Sequence, residues 1–351
     1  MEKNNELVDK KRKLASIQKI DNIVEIKKMK NIECAKVLGY NVGVQKNQFK
    51  IGDKIIYFEE DSKLPGDEKW SKFLENNNFE VKAKKFGKLI SQGLILPLSI
   101  LDEHSEKIDK NNLEIGCDLT KILKVTKFNN DADLPLKTEN TNKEKFDQKF
   151  PVHLIEKTDE ERIQSVPNYL EKFKGKSFYS SLKYDGTSGT YVIDPKTNIF
   201  YICSRNLNRP YDKKDIYSQI ADKYDIKNKL IKNECRYAIQ GEIYGKGIQK
   251  NPFKIDEIRF AVFTIRDIIK NKYLDFEELK ETCKILDLPM VEVIEEGIFN
   301  YTIEELIEKS KGNYPNTNHK REGLVYRVKE NWNDVNERLS FKVINNEYIL
   351  K

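Results

Sequence analysis

The sequence is short of the residues that staple a fold or centre it on a metal. Its five cysteines, Cys34, Cys117, Cys203, Cys235 and Cys283, lie far apart with no CxxC pair, and its three histidines, His104, His153 and His319, form no cluster and no zinc-ligand spacing. A disulfide framework and a structural zinc site are thereby excluded, and the cysteines read as reduced, mostly buried thiols of an intracellular protein. No stretch approaches the roughly 20 apolar residues of a membrane span. The opening "MEKNNELVDKKRKLASIQ" also lacks the apolar centre of a signal peptide, so neither secretion nor a membrane anchor is expected. No internal repeat recurs, which removes solenoid architectures.

Charge is plentiful. There are 63 Lys and Arg against 57 Asp and Glu, a net charge of +6 that is modest for 351 residues and implies polyanion binding only where the basic residues cluster. A hydrophobic fraction of 38% with 17 Tyr and 17 Phe suffices for cores, and the length suits two ordinary domains or one large one.

Residues 1–13 read as a charged tail. Over 14–128, short strand-like runs such as "IECAKVLGYNVGVQ", "FKIGDKIIYFEEDSKLP" and "KLISQGLILPL" alternate with turns, which suggests a small β-barrel. A polar stretch without apolar periodicity places an interdomain linker at 129–150. Residues 151–351 alternate strands with helices. Strands are expected at 177–183, 188–193, 199–204, 236–243, 258–265, 289–294, 323–329 and 339–344, and helices at 158–173, 213–231, 275–287 and 302–311, the third ended by Leu288-Pro289. The whole is an α+β chain, with antiparallel sheets and flanking helices behind the barrel.

"SLKYDGTSGTYVID" puts Lys183 two residues before Asp185 at the end of an expected strand. Strand residues two apart point the same way, so both side chains would face one cleft. Gly186 lets the backbone turn and pass close to a ligand. Taken alone, the Asp-Gly pair also fits a hairpin turn beside a solvated lysine. Five more segments follow in order: "CSRNLN" with Arg205, "YAIQGEIYGKGIQKN" with Glu242, "RFAVFTIRD" with Phe263, "REGLVYRV" with Glu322 and "RLSFKVIN" with Lys342.

This ordered set resembles the covalent nucleotidyltransferases, the superfamily of ligases and capping enzymes. Within it the chain is most similar to ATP-dependent RNA ligases of the Naegleria type, which carry an oligonucleotide-binding (OB) domain ahead of the ligase domain. "LASIQKIDNIVEI", "QFKIGDKIIYFEEDSKLP" and "ISQGLILPL" are similar to that family's barrel, and "EKTDEERIQSVP" to the start of its ligase domain. The resemblance covers about 14–351. Lys342 lies nine residues from the last residue, so the barrel is expected in front of the ligase domain.

The resemblance implies an intracellular, monomeric enzyme that uses ATP and Mg2+ or Mn2+ to join RNA 3′-hydroxyl and 5′-phosphate ends at nicks or breaks. Lys183 would attack the ATP α-phosphorus to form lysyl-AMP. An ordinary lysine is only about 0.04% neutral at pH 7, a penalty of about 4.6 kcal/mol, so desolvation, a metal or a second cation such as Lys342 would have to lower its pKa. Asp185, Glu242 and Glu322 would hold the metal through its waters, and Glu242 alternatively a ribose hydroxyl. Arg205 would hold ribose or phosphate, Lys342 the α-phosphate, and Gly186 the close backbone turn. Phe263 would stack on adenine, with Phe260 on the opposite strand face as the competing assignment. Ser340 departs from the family, where many relatives carry the first lysine of a KxK pair; Arg162 or Lys157 would substitute. In the barrel, "KAKKFGKLISQG" combines Lys82, Lys84, Lys85 and Lys88 with Phe86, suited to tracking an RNA backbone. A DNA ligase, an RNA guanylyltransferase and a non-catalytic OB-fold nucleic-acid-binding protein are the alternatives.

Overall fold

The computed structural model describes residues 12–27, 29–104, 113–127, 147–157, 159–330 and 339–350; the tail expected at 1–13 and the linker expected at 129–150 lie largely outside them. The described chain divides into two compact units. One holds 12–127 with 163–168 and 349–350, the other 147–162 with 169–348. No helix among the described residues is long and apolar enough to cross a membrane.

The first unit is built from short antiparallel strands: β1 (Ala15–Lys19), β2 (Asn22–Glu25), β3 (Ile32–Val37), β4 (Tyr40–Gln45), β5 (Lys54–Phe58), β6 (Ser62–Lys63), β7 (Lys84–Phe86), β8 (Leu89–Ser91), β9 (Leu94–Pro97) and β10 (Thr126–Lys127). They pair as β1-β5-β9, β2-β3-β4, β7-β8 and β10-β6. The continuous apolar run of β5 reflects burial on both faces: Ile56 and Phe58 join Ile17, Leu101 and Leu119, while Ile55 and Tyr57 join Val37, Val42 and Ile95.

Residues 163–168 belong to this unit and are not helical. The Gly39 amide donates to the Gln164 carbonyl at 3.1 Å, and the Ser165 hydroxyl lies 2.8 Å from that of Tyr40 and donates to Glu59 at 2.7 Å. The helix expected over 158–173 therefore shrinks to α1 (Tyr169–Phe173). Pro167 pushes the residue before it out of helical conformation, and Arg162 is drawn instead into a parallel bridge with Lys342.

The second unit contains β11 (Ser177–Lys183), β12 (Thr187–Ile193), β13 (Phe200–Cys203), α2 (Ile216–Lys223), α3 (Ile226–Lys232), β14 (Tyr237–Gly245), β15 (Ile258–Asp267), β16 (Lys272–Tyr273), α4 (Phe276–Ile285), β17 (Val293–Ile298), α5 (Ile303–Ser310), β18 (Gly323–Val328), β19 (Ser340–Ile344) and α6 (Asn346–Ile349). The single helix expected at 213–231 breaks into α2 and α3 because Asp225 is left-handed, with φ 49°. The strand expected at 289–294 begins later, at Val293. Asp275 and Thr302 start α4 and α5 with capping boxes, each closed by a glutamate three residues on.

Two antiparallel sheets result, ordered β17-β11-β18-β19 and β13-β12-β14-β15-β16. In the first, Phe178, Tyr326 and Phe341 point to one face and pack with Phe173 and Phe299, at ring separations of 4.7–6.3 Å. Since strand residues alternate, this dry aromatic layer forces Lys183, Arg327, Ser340 and Lys342 onto the other face. In the second sheet, Tyr191, Ile239, Ile243, Phe260 and Val262 pack with α2, α3 and α4.

Candidate active site

Lys183 is the last residue of β11, and its cross-strand partner is Gly323 at the start of β18. Glu322 therefore comes alongside, with its Oε1 2.8 Å from Lys183 Nζ. Glu242 arrives from β14 in the second sheet. Two glycines permit this convergence. A Cβ on Gly186 would stand 2.3 Å from the Ile243 carbonyl oxygen and 2.9 Å from Glu242 Cγ, so the KYDG turn can press onto β14 only without a side chain. A Cβ on Gly323, where φ is +153°, would stand 2.0 Å from the Val343 carbonyl oxygen. Asp185 joins the same cluster and is held by the Tyr348 hydroxyl of α6.

Burial pulls the Lys183 amine down, but Glu322, Glu242 and Asp185 together pull it up further, leaving it above the ordinary lysine value. The protein's own groups thus hold the amine charged, against the expectation that its surroundings would lower it. Glu242 shows the converse. Burial pushes its carboxyl up to about 8; Lys183 and Arg205 draw it down, while Glu322 and Asp185 push it higher. Among the described residues, no three His, Cys, Asp or Glu side chains converge as a direct metal-ligand set. The cluster offers hard carboxylate oxygens.

Lys342 reaches Asp159: its Nζ lies 3.4 Å from Asp159 Oδ1. Arg205 Nη2 is 2.8 Å from that same oxygen. One carboxylate oxygen therefore collects both cations. Ser340 pairs across strands with Arg327; the Ser340 hydroxyl donates to Glu160, and Arg327 Nη2 donates to Glu160 Oε1 at 2.9 Å. The cation opposite Ser340 is Arg327. The backbone of Arg162 is bridged to that of Lys342, and the Lys157 ammonium lies 5.9 Å from the centre of the Phe150 ring.

The two phenylalanine candidates separate cleanly. Phe260 is fully buried and edge-on to Tyr191 at 5.4 Å, a core residue. Phe263 is half-buried at a β-bulge, where the β14/β15 register shifts, and the Arg327 guanidinium lies 5.8 Å from its ring centre. In the first unit, Lys84, Lys85 and Lys88 are exposed on the β7-β8 hairpin, while Lys82 is 2.5 Å from Glu80. Phe86 packs on Gly43, where a Cβ would come within 2.6 Å of its ring. His153 pairs with Asp194 at 3.5 Å, apart from the lysine cluster.

Sequence reasoning missed Asp159, Glu160, Tyr314, Arg327 and Tyr348. Asp159 and Glu160 were hidden by a helical reading of their segment, and Arg327 by its place inside an apolar strand. Tyr314 and Tyr348 carried no signal beyond an aromatic residue in polar surroundings.

An RNA ligase family model matches residues 176–344, and an OB-fold domain model matches residues 14–98. No curated protein sequence matches the chain. Among solved structures, Naegleria gruberi RNA ligase in a lysine-to-alanine form with ATP and Mn is 29% identical, covers 97% of this chain and 97% of its own, and superposes with a TM-score of 0.82. A glutamate-to-alanine form with AMP and Mn is 29% identical with TM-score 0.81, and an apo aspartate-to-alanine form 30% identical with TM-score 0.81; each match covers 97% of this chain and 98% of the other. With an OB fold in front, a ligase fold behind and similarity along nearly its whole length, the chain belongs to the RNA ligase family.

Proposed function

We propose that this chain is an ATP-dependent RNA ligase that seals 3′-hydroxyl to 5′-phosphate ends through lysyl-AMP at Lys183. The observation that carries the reading is the Lys183–Glu322 pair at 2.8 Å with Glu242 pressed against the same turn. The ATP, AMP and Mn complexes of the Naegleria enzyme support the nucleotide and the metal.

Lys183 Nζ, once neutral, attacks the α-phosphorus; the N–P bond forms as the P–O bond to pyrophosphate breaks, and the amine proton passes to solvent. An RNA 5′-phosphate oxygen then attacks the same phosphorus, breaking the N–P bond and returning a proton to Lys183. The RNA 3′-hydroxyl oxygen finally attacks the activated 5′-phosphorus; the phosphodiester bond forms as the P–O bond to AMP breaks, and the hydroxyl proton passes to solvent. Charge sits on phosphoryl oxygens throughout, so the protein's work is positioning and neutralisation.

Asp185, Glu242 and Glu322 would hold a hydrated Mg2+ or Mn2+. Bound there, the ion would supply positive charge to the phosphate oxygens and offset the pull of these carboxylates on the Lys183 proton. The Glu242 carboxyl, raised by burial and further by Glu322 and Asp185, fits this role, because an added cation would favour its charged form. Arg205 and Lys342, already sharing one carboxylate oxygen, would grip the α-phosphate or ribose. Phe263 would stack on adenine. The exposed Lys84, Lys85 and Lys88, with Phe86, would follow the RNA backbone. We place the OB domain at 14–128 and the ligase domain at 151–351, and assign the enzyme to nick or break repair, as a monomer. Five free thiols suit a reducing intracellular compartment.

The test is sealing of nicked duplexes whose 3′-hydroxyl strand ends in ribose or deoxyribose, run with α-labelled ATP. Labelled protein and preferential sealing of the ribose end are expected. Label from GTP instead of ATP points to a guanylyltransferase, equal sealing of all-DNA nicks to a DNA ligase, and no label at all to a binding protein.

A further inference from the structure

Tyr314 lies in the loop between α5 and β18 and is 1% exposed. Its ring meets Phe253 at 4.3 Å, and Phe253 stacks on Tyr184 at 4.9 Å with planes 19° apart. Its main chain is fixed as well: the Tyr314 amide donates to the His319 carbonyl at 2.9 Å, and the Thr317 hydroxyl donates to the Tyr314 carbonyl at 3.1 Å. The phenol is thus held rigidly in one place.

At that place, the Tyr314 hydroxyl donates to the Lys183 carbonyl at 3.1 Å and accepts from the Glu322 amide at 3.1 Å. The Asp185 amide is a further backbone partner of the same oxygen. The β11-β18 ladder ends at the Lys183–Gly323 pair. Glu322 and Asp185 lie just past that last rung, beyond the β11-β18 pairing, although the Glu322 carbonyl still accepts from the Asn345 amide at 2.9 Å. The Tyr314 oxygen supplies the missing rung, tying the backbone of Lys183 to that of Glu322 and Asp185. A buried hydroxyl that satisfies both a donor and an acceptor costs most when it is deleted, because both partners are left unpaired.

We propose that Tyr314 is a positioning residue, which sets the Lys183 amine against Glu322 for in-line attack on the nucleotide. The inference rests on the reading of Lys183 as the nucleophile. Tyr314 acts through the backbone of its neighbours, so its loss is expected to lower the maximal rate of adenylylation and leave nucleotide affinity nearly intact. Displacements on the order of 1 Å at a reacting centre cost about 100-fold in rate.

The experiment is single-turnover adduct formation with α-labelled ATP for wild type, Tyr314→Phe and Phe253→Leu, with a melting temperature for each. Tyr314→Phe is expected to lose at least 30-fold in maximal rate, with the ATP concentration at half-maximal rate changed less than threefold. Phe253→Leu loosens the same packing but keeps the hydroxyl, and is expected to lose less than threefold even where its melting temperature falls further. A wild-type maximal rate in Tyr314→Phe overturns the inference, as does an equal loss in both variants at equal melting temperature. An unlabelled wild type would instead overturn the nucleophile reading. Should Tyr314→Phe not fold, 3-fluorotyrosine placed at position 314 keeps ring and hydroxyl but alters the strength of its hydrogen bonds. At least a twofold change in maximal rate at constant melting temperature then supports the role, and an unchanged rate overturns it.

Discussion

Two strand ends in this chain present lysine in opposite surroundings. On the β7-β8 hairpin, Lys84, Lys85 and Lys88 stand exposed. At the end of β11, Lys183 is drawn against Glu322, with Glu242 and Asp185 adding to the field that holds its proton. The first arrangement can attract a polyanion but activates nothing, because water screens each charge. The second holds an amine in its charged form among acids; on the proposed reading, a bound cation and nucleotide would change its state. Environment separates the two kinds of lysine in a lysine-rich chain, and at Lys183 the backbone creates that environment through Gly186, Gly323 and Tyr314.

The sharpest way to break this contrast is to keep the charge and remove the nucleophile. Lys183→Arg is expected to reduce adduct formation from labelled ATP at least 1000-fold, to background. Gly186→Ala comes next, since its methyl would drive into the Ile243 carbonyl. Adduct formation should fall at least 30-fold, and unfolding in urea should show a loss of about 2 kcal/mol from overpacking. Glu242→Ala and Glu322→Ala are each expected to slow adenylylation or sealing at least tenfold in the same labelled assays, and near-normal rates would remove that residue from the site.

A smaller effect concerns pH. The Glu242 carboxyl has a folded-state pKa of about 8 against an ordinary 4.5, so between those values the folded state holds a proton that the unfolded state releases. Stability of the ligand-free protein should therefore fall as pH rises from about 4.5 to 8, by roughly 1–3 kcal/mol after allowance for partial exposure. Lys183 stays charged across that window and adds no slope. Urea unfolding of wild type and Glu242→Gln at pH 5 and pH 8 checks this, with a flatter profile expected in the variant. At the hairpin the change is smallest. Charge reversal of Lys84, Lys85 and Lys88 together should weaken binding of nicked RNA several-fold and reduce the log–log salt slope by roughly 2–3, read by filter binding.

Much of the fold was legible because hydrophobic alternation is local. The expected strand 177–183 is β11 to the residue, and the strands at 188–193, 199–204 and 339–344 fall within one residue of those observed. The segment 158–173 failed because its apolar spacing mimics a helix. Pro167, the bridge from Arg162 to Lys342 and the hydrogen bonds of Gln164 and Ser165 decide otherwise, and two of those influences come from residues more than 100 positions away. Within the site, Lys183, Asp185, Glu242 and Glu322 could be picked out because their chemistry sits in short ordered segments. The orienting groups could not. Asp159 gathers Arg205 and Lys342 across the fold, and Tyr314 reaches Lys183 from 131 residues away, so neither leaves a local pattern. Telling Phe260 from Phe263 likewise needed the packing, which buries Phe260 against Tyr191 and leaves Phe263 half-exposed at the bulge.

The most direct measurement of the central claim is to map the adenylate. Protein incubated with labelled ATP and Mg2+ is digested at neutral to alkaline pH, which preserves a phosphoramidate, and the modified peptide is sequenced by mass spectrometry. AMP bonded to Lys183 alone is the expected result; AMP on another residue, or undiminished labelling in Lys183→Ala, would contradict it.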